Sequence, residues 1–93
     1  MGGPVSDGPV RALRDEIAAN DRAIVAAVNR RLELVARLKE VKTEHGLGFL
    51  DPGREEWLVD HLAETNGGPL SETGVRALAA ELLALTKREL AES

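Results

Sequence analysis

One uninterrupted stretch constrains this chain more than any other feature. From Val10 to Lys42 it contains neither glycine nor proline, the residues that most often end helices. The stretch is rich in Ala, Leu, Arg and Glu, which are strong helix formers. We therefore predict one long helix that starts between Asp7 and Val10 and ends before Gly46.

Two further helices follow from local start and stop signals. Asp51 is a suitable cap and Pro52 suits a first helical position, so a short helix begins there and ends before the Gly-Gly-Pro run at residues 67–69. Ser71 opens a third helix, which continues to about Ala91. Its predicted buried stripe is Val75, Leu78, Ala79, Leu82, Leu83, Thr86 and Leu90.

Length and composition indicate one small all-α domain. The chain has 93 residues, and its apolar content is mainly Ala, Leu and Val, with Phe49 and Trp57 as the aromatic side chains. We assign residues 10–91 to a single helical domain and residues 1–9, rich in Gly and Pro, to a flexible segment. Because three helices of this size bury only a modest core, an oligomer is expected.

Charge and residue types exclude several classes of function. The net charge of −4 and the lack of a basic tail oppose nucleic-acid binding. The chain has no cysteine, and His45 and His61 lack neighbours at ligand spacing, so no metal is expected. No apolar run is long enough to span a membrane, and residues 1–10 do not resemble a secretion signal. We expect a cytoplasmic protein.

The long helix carries charges on the face that should be apolar. At coiled-coil spacing its inward seam consists of two rows, which are Arg14, Asp21, Val28, Val35 and Lys42, and Ile17, Ile24, Arg31 and Leu38. Burying an unpaired charge costs several kcal/mol or more, and Asp21 is the one anion that the seam offers to three cations. The pattern therefore indicates a small anionic ligand held against this face. Cations that fall mostly off the seam are expected to be solvated, and these are Arg11, Arg22, Arg30, Arg37, Lys39, Lys87 and Arg88.

Spacing along the helix requires a second chain. Arg14 and Lys42 lie about 42 Å apart along a helix, which is beyond the reach of side chains. Two copies packed antiparallel would bring Arg14 of one chain near Arg31 and Lys42 of the other, with two equivalent sites per dimer. Arg31 and Lys42 share a face and bracket a space roughly 16 Å long.

These charged residues carry a family resemblance. In order and spacing, the chain from about Val10 to Leu90 resembles the all-helical (type II) chorismate mutases. The residues that carry the resemblance are Leu13, Arg14, Ile17, Asp21, Arg30, Arg31, Lys42, Asp51, Arg54 and Glu55.

The resemblance implies an isomerase of the intramolecular-transferase kind, which converts chorismate to prephenate for aromatic amino acid biosynthesis in the shikimate pathway. It implies an intertwined homodimer with two active sites and no cofactor or metal. Lys42, Arg31 and Glu55 would be the catalytic residues. The substrate-binding set would be Arg14 from the partner chain, Arg31, Lys42, Asp51, Arg54, Glu55 and Thr86.

One position departs from the family pattern. Relatives usually carry Gln or Glu near the end of the third helix, where it supports the ether oxygen, and our alignment places Leu90 there. Leucine cannot donate a hydrogen bond. This departure leaves open low intrinsic activity, a contribution from Glu89, reshaping by a partner protein, or a changed substrate.

Several functions therefore stay open beside the mutase. Some actinobacterial-type relatives also lack the Gln or Glu and are activated by complex formation with DAHP synthase, so the resemblance offers that enzyme as a candidate activating partner. Other relatives act on 4-amino-4-deoxychorismate or eliminate pyruvate from isochorismate. A weakly active or regulatory chorismate-binding module and a helical dimer without ligand are the alternatives from other classes.

Overall fold

The chain is all-α, as the sequence predicts. The computed structural model describes residues 8–48 and 51–91, which form α1 (Gly8–Glu44), α2 (Pro52–Thr65) and α3 (Glu72–Leu90) and contain no strand. The first helix begins inside the predicted window. Residues 1–7, most of the segment predicted to be flexible, lie outside the described residues.

Gly46 ends α1 through a left-handed turn. Its φ of 71° places it in the region that favours glycine. The amide of Gly46 donates to the carbonyl of Thr43 (3.1 Å), and the amide of Leu47 donates to that of Lys42 (2.7 Å). This pair of bonds is a Schellman motif, which satisfies carbonyls that the helix leaves open.

Side-chain caps start the other two helices at the predicted residues. The amide of Arg54 donates to Oδ1 of Asp51 (3.1 Å), and Pro52 stands at the start of α2. The amide of Gly74 donates to Oγ of Ser71 (3.0 Å) at the start of α3. These local bonds fix where each helix begins.

The chain divides into two compact units, Met1–Arg31 and Leu32–Ser93. The described part of the first unit is helical, and none of α1 is buried. The second unit contains the end of α1 together with α2 and α3. The single domain predicted for residues 10–91 stays a prediction.

Helices α2 and α3 form an antiparallel hairpin in the second unit. Arg76 Nη1 lies 2.9 Å from Asp60, and Lys87 Nζ lies 3.2 Å from Glu55, so earlier positions on α2 meet later positions on α3. Hydrogen bonds to Asp60 and then to Glu72 raise the pKa of Arg76 above its ordinary value. These cross-hairpin pairs keep the two helices in register.

The hairpin buries only part of the predicted stripe of α3. Val75, Ala79 and Thr86 are buried, whereas Leu82, Leu83 and Leu90 are half-buried. Leu78 was predicted to be buried and is 53% exposed, so that prediction is wrong for the single chain.

The apolar seam of α1 remains largely uncovered within one chain. Ile17 and Ile24 in the first unit are 59% and 53% exposed. Leu38 in the second unit is 51% exposed. In the described part of the chain no helix is both long and apolar enough to cross a membrane.

Candidate active site

The three predicted site cations of α1 are divided between the two units. Arg14 is exposed and Arg31 is half-buried in the first unit, and Lys42 is half-buried in the second. Half-burial suits long cationic side chains, which pack their stems against apolar surface and keep their charged ends accessible. Of these three residues, Lys42 shares a compact unit with α2 and α3.

The end of α1 holds Lys42 at a fixed backbone position. It stands in the last turn, where a positive charge complements the helix dipole. Its carbonyl accepts the 2.7 Å bond from Leu47 in the Schellman motif. The lysine is therefore anchored at a rigid helix end.

The first turn of α2 carries three predicted site residues. Asp51 acts as the cap of this helix, and its carboxylate receives the amide of Arg54. The guanidinium of Arg54 lies 4.0 Å from the centre of the Trp57 ring, a cation–π contact. Trp57 stacks in turn on His61, with ring centres 4.6 Å apart and planes inclined by 10°. This stack holds the Arg54 side chain against the helix.

Glu55 forms an ion pair with Lys87, which is not among the predicted site residues. Its Oε1 lies 3.2 Å from Nζ of Lys87, and its side chain is only 29% exposed. Lys87 was expected to be solvated. Glu55 lies ten residues before the end of α2 and Lys87 lies fifteen residues after the start of α3. The sequence therefore offers only a weak signal for this pair, namely opposite charges early in one helix and late in the next, which an antiparallel hairpin brings toward each other.

Thr86, next to Lys87, is buried at 7% exposure. Its hydroxyl donates to the carbonyl of Leu82 (2.7 Å) on its own helix. Buried hydroxyls are normally satisfied in this way. The structure therefore places Glu55, Lys87 and Thr86 in one region of the α2–α3 hairpin.

Leu90 lies at the end of α3, against α1. It is half-buried, and its carbonyl accepts a 2.9 Å hydrogen bond from Nζ of Lys39. An open groove of about 490 Å³ lies beside it, lined by Ala36, Lys39, Glu40, Thr43, Glu44 and Leu90. The groove contains none of the predicted site residues, and its two glutamates oppose a dianionic ligand.

No group of His, Cys, Asp or Glu side chains within residues 8–48 and 51–91 is arranged to hold a metal ion. The chemistry available in these residues is that of fixed charges and hydrogen bonds. Within the second unit, the cations Lys42 and Arg54, the partly buried carboxylate of Glu55 and the buried hydroxyl of Thr86 are groups that suit a small anion that also carries a hydroxyl group.

Comparison with known proteins finds a family match and a related protein sequence. The family model described as chorismate mutase type II matches residues 13–90. A segment of 44 residues is 48% identical to the T-protein of Enterobacter agglomerans. That match covers 47% of this chain and 12% of the T-protein, so the chain spans a small part of that relative's length.

Two solved structures share the fold. Form I of chorismate mutase from Thermus thermophilus is 32% identical, with a TM-score of 0.80, and the match covers 84% of this chain and 98% of that one. Form II from the same organism is also 32% identical, with a TM-score of 0.81, and the match covers 88% and 92%. The similarity therefore extends over nearly the whole of both chains.

Proposed function

The chain belongs to the chorismate mutase type II family, and from this premise we propose that it rearranges chorismate to prephenate. One observation carries the proposal. The family match over residues 13–90 includes every candidate site residue, from Arg14 to Thr86, and the fold is shared with solved chorismate mutases at 32% identity. The cytoplasmic location expected from the composition stays a prediction.

The reaction needs positioning and electrostatics alone. In this pericyclic rearrangement the ether C–O bond breaks as a new C–C bond forms within one molecule, so no nucleophile, metal or cofactor takes part. The enzyme must hold a flexible dianion in the compact conformer that brings the reacting carbons together. Holding the substrate in one conformer costs conformational entropy. Binding of its two carboxylates to fixed cations offsets much of that cost.

In this proposal, arginines bind the two carboxylates of the substrate. A guanidinium can bind a carboxylate with two parallel hydrogen bonds, which fixes its orientation as well as its position. We assign Arg31 and Arg54 to the substrate of their own chain and Arg14 to the substrate of the partner chain. The half-burial of Arg31 and the stacking of Arg54 on Trp57 support the assignment, because both restrict a long side chain before substrate arrives.

Lys42 stabilises the transition state in this proposal. Negative charge builds on the ether oxygen as the C–O bond breaks, and a fixed ammonium lowers the energy of that state more than it lowers that of the substrate. The half-burial of Lys42 and its anchored helix end support the role.

Glu55 is the proposed acceptor for the ring hydroxyl of the substrate. Its partly buried carboxylate and its place in the first turn of α2 support this assignment. We assign Asp51 to a position beside the ring and Thr86 to the wall of the site on α3. The cap that Asp51 forms on the same turn and the burial of Thr86 support these assignments.

The complete site requires two chains in an antiparallel homodimer. The exposed seam of α1 supports a second copy as the occupant of that face, because Ile17, Ile24 and Leu38 follow the heptad spacing that pairs helices. Charged seam residues would then face the substrate in the dimer instead of an apolar interior.

Leu90 favours a second candidate function, a chorismate-binding module with weak turnover that depends on a partner. Its side chain cannot donate to the ether oxygen, and loss of one such donor costs roughly 10²–10³ in rate. A partner such as DAHP synthase would restore activity by rearranging the end of α3. The amino analogue and isochorismate are the alternative substrates.

Incubation of the purified chain with chorismate, monitored by loss of its absorbance, tests both candidates. We expect conversion to prephenate in wild type, at least a 10²-fold loss in Lys42→Met, and wild-type activity in the control Arg37→Met on an exposed part of the same helix. Thermal stabilisation by chorismate with little or no conversion until DAHP synthase is added favours the partner-dependent binding module. Neither conversion nor stabilisation contradicts both.

A further inference from the structure

The ion pair between Glu55 and Lys87 is unusual among the described pairs because its carboxylate is partly buried. The side chain of Glu55 is 29% exposed, whereas the carboxylates of Asp60, Glu72 and Glu81 in the other described pairs are between 54% and 70% exposed. An ion pair with a shielded partner is less screened by solvent than a surface pair. Lys87, whose own side chain is 49% exposed, therefore places a positive charge next to a carboxylate that is shielded more than those of the other described pairs.

The contact is also directional. Nζ of Lys87 lies 3.2 Å from Oε1 of Glu55 and joins α3 to α2. A carboxylate has two oxygens with about four lone-pair positions, so Oε2 remains available to a ligand. Lys87 thus fixes the rotamer of Glu55 and neutralises part of its charge, while one oxygen stays able to accept a hydrogen bond.

We propose that Lys87 is a positioning and specificity-determining residue that makes Glu55 select a substrate with a neutral ring hydroxyl over one with a ring ammonium. The inference rests on the proposed function, in which Glu55 faces the ring substituent. A hydroxyl needs only an oriented acceptor. A protonated amino group brings a second positive charge to a carboxylate already paired with Lys87, and the two cations repel each other.

A favourable charge at the end of α3 does not by itself explain why Lys87 contacts Glu55. Lys87 and Arg88 both stand in the last turn of α3, where positive charge complements the helix dipole. Arg88, however, pairs with Glu81 on its own helix at 3.1 Å. Only Lys87 of these two residues reaches across to α2, so Arg88 provides a matched control for the loss of charge at this helix end.

The test compares two substrates, chorismate and 4-amino-4-deoxychorismate, with the whole 93-residue chain. The measured quantity is the ratio of kcat/KM for chorismate to that for the amino analogue, in wild type, Lys87→Met, Lys87→Arg and Arg88→Met. Where turnover is too slow, the ratio of dissociation constants from calorimetry replaces it. Denaturation midpoints for all four proteins report whether folding is affected.

We expect Lys87→Met to shift the ratio toward the amino analogue by roughly 3- to 100-fold. This is the range for removing one positive charge about 6 Å from another, between the screening of bulk water and that near a protein surface. Lys87→Arg should retain the wild-type ratio, and Arg88→Met should leave it unchanged. A merely stabilising role would lower the denaturation midpoint of Lys87→Met without moving the ratio, and that result overturns the inference.

Glu55→Gln separates this inference from the proposed function. If Glu55→Gln weakens chorismate turnover or binding while Lys87→Met behaves as Arg88→Met does, Glu55 keeps its role and the selectivity of Lys87 is refuted. If wild type neither converts nor binds either compound, the proposed function fails, and the role of Lys87 fails with it.

Discussion

The ammonium of Lys39 donates a 2.9 Å hydrogen bond to the carbonyl oxygen of Leu90, which joins α1 to the last residue of α3. The carbonyls at a helix end lack partners within the helix, and a cation there also complements the dipole. This bond therefore fixes the end of α3, where the family pattern places a residue that supports the ether oxygen.

Replacing Lys39 with Met should loosen the end of α3. Met keeps most of the apolar stem but cannot donate, so we expect a loss of about 0.5–1.5 kcal/mol in the free energy of unfolding. Urea denaturation measures the change. Arg37→Met, at an exposed position on the same helix, is the control, and equal midpoints for the two variants would show that the bond contributes nothing.

Introducing Gln at position 90 should raise catalysis by the isolated chain. Leu90→Gln supplies a donor near the proposed ether-oxygen site, and we expect kcat/KM for chorismate to increase by up to about 10²-fold. The control is Leu90→Met, which preserves volume without a donor. An unchanged rate in Leu90→Gln would mean that the position is misaligned or that another group already fills the role.

Two substitutions of Asp51 distinguish its role as a helix cap from a contact with the substrate. Asp51→Ala removes the acceptor for the amide of Arg54 and should cost about 1 kcal/mol of stability, whereas Asp51→Asn retains an acceptor and should cost little. Denaturation curves and chorismate kinetics are measured on both. If Asp51→Asn keeps its stability but loses activity, the carboxylate contacts the substrate; unchanged activity restricts it to the cap.

A charge on the apolar seam should disrupt the proposed dimer. Ile24→Glu places a carboxylate at a heptad position where the partner helix would pack, so we expect the dissociation constant of the dimer to rise by at least about tenfold. Ala26→Glu, close by on the same helix and off the seam, is the control. Sedimentation analysis measures both. A wild-type monomer, or identical behaviour of the two variants, would contradict antiparallel pairing through this face.

Much of the candidate site could be named from sequence because the family pattern fixes the order and spacing of its charged residues. The partners of these residues were less predictable. Lys87 and Lys39 were both expected to be solvated. Lys87 is exposed as expected but pairs with Glu55, whereas Lys39 is half-buried and binds the carbonyl of Leu90. A pattern along one helix indicates which face a residue occupies, but the residue opposite depends on how two helices are rotated against each other.

The sequence by itself determined the number, order and ends of the helices. The caps at Asp51 and Ser71 and the left-handed turn at Gly46 act within a few residues, so their physics is complete in the local chain. Only the tertiary structure decided that Glu55 is paired across the hairpin and that Leu78 lies exposed. Those outcomes depend on the register and rotation of packed helices, which arise from contacts between residues far apart in sequence.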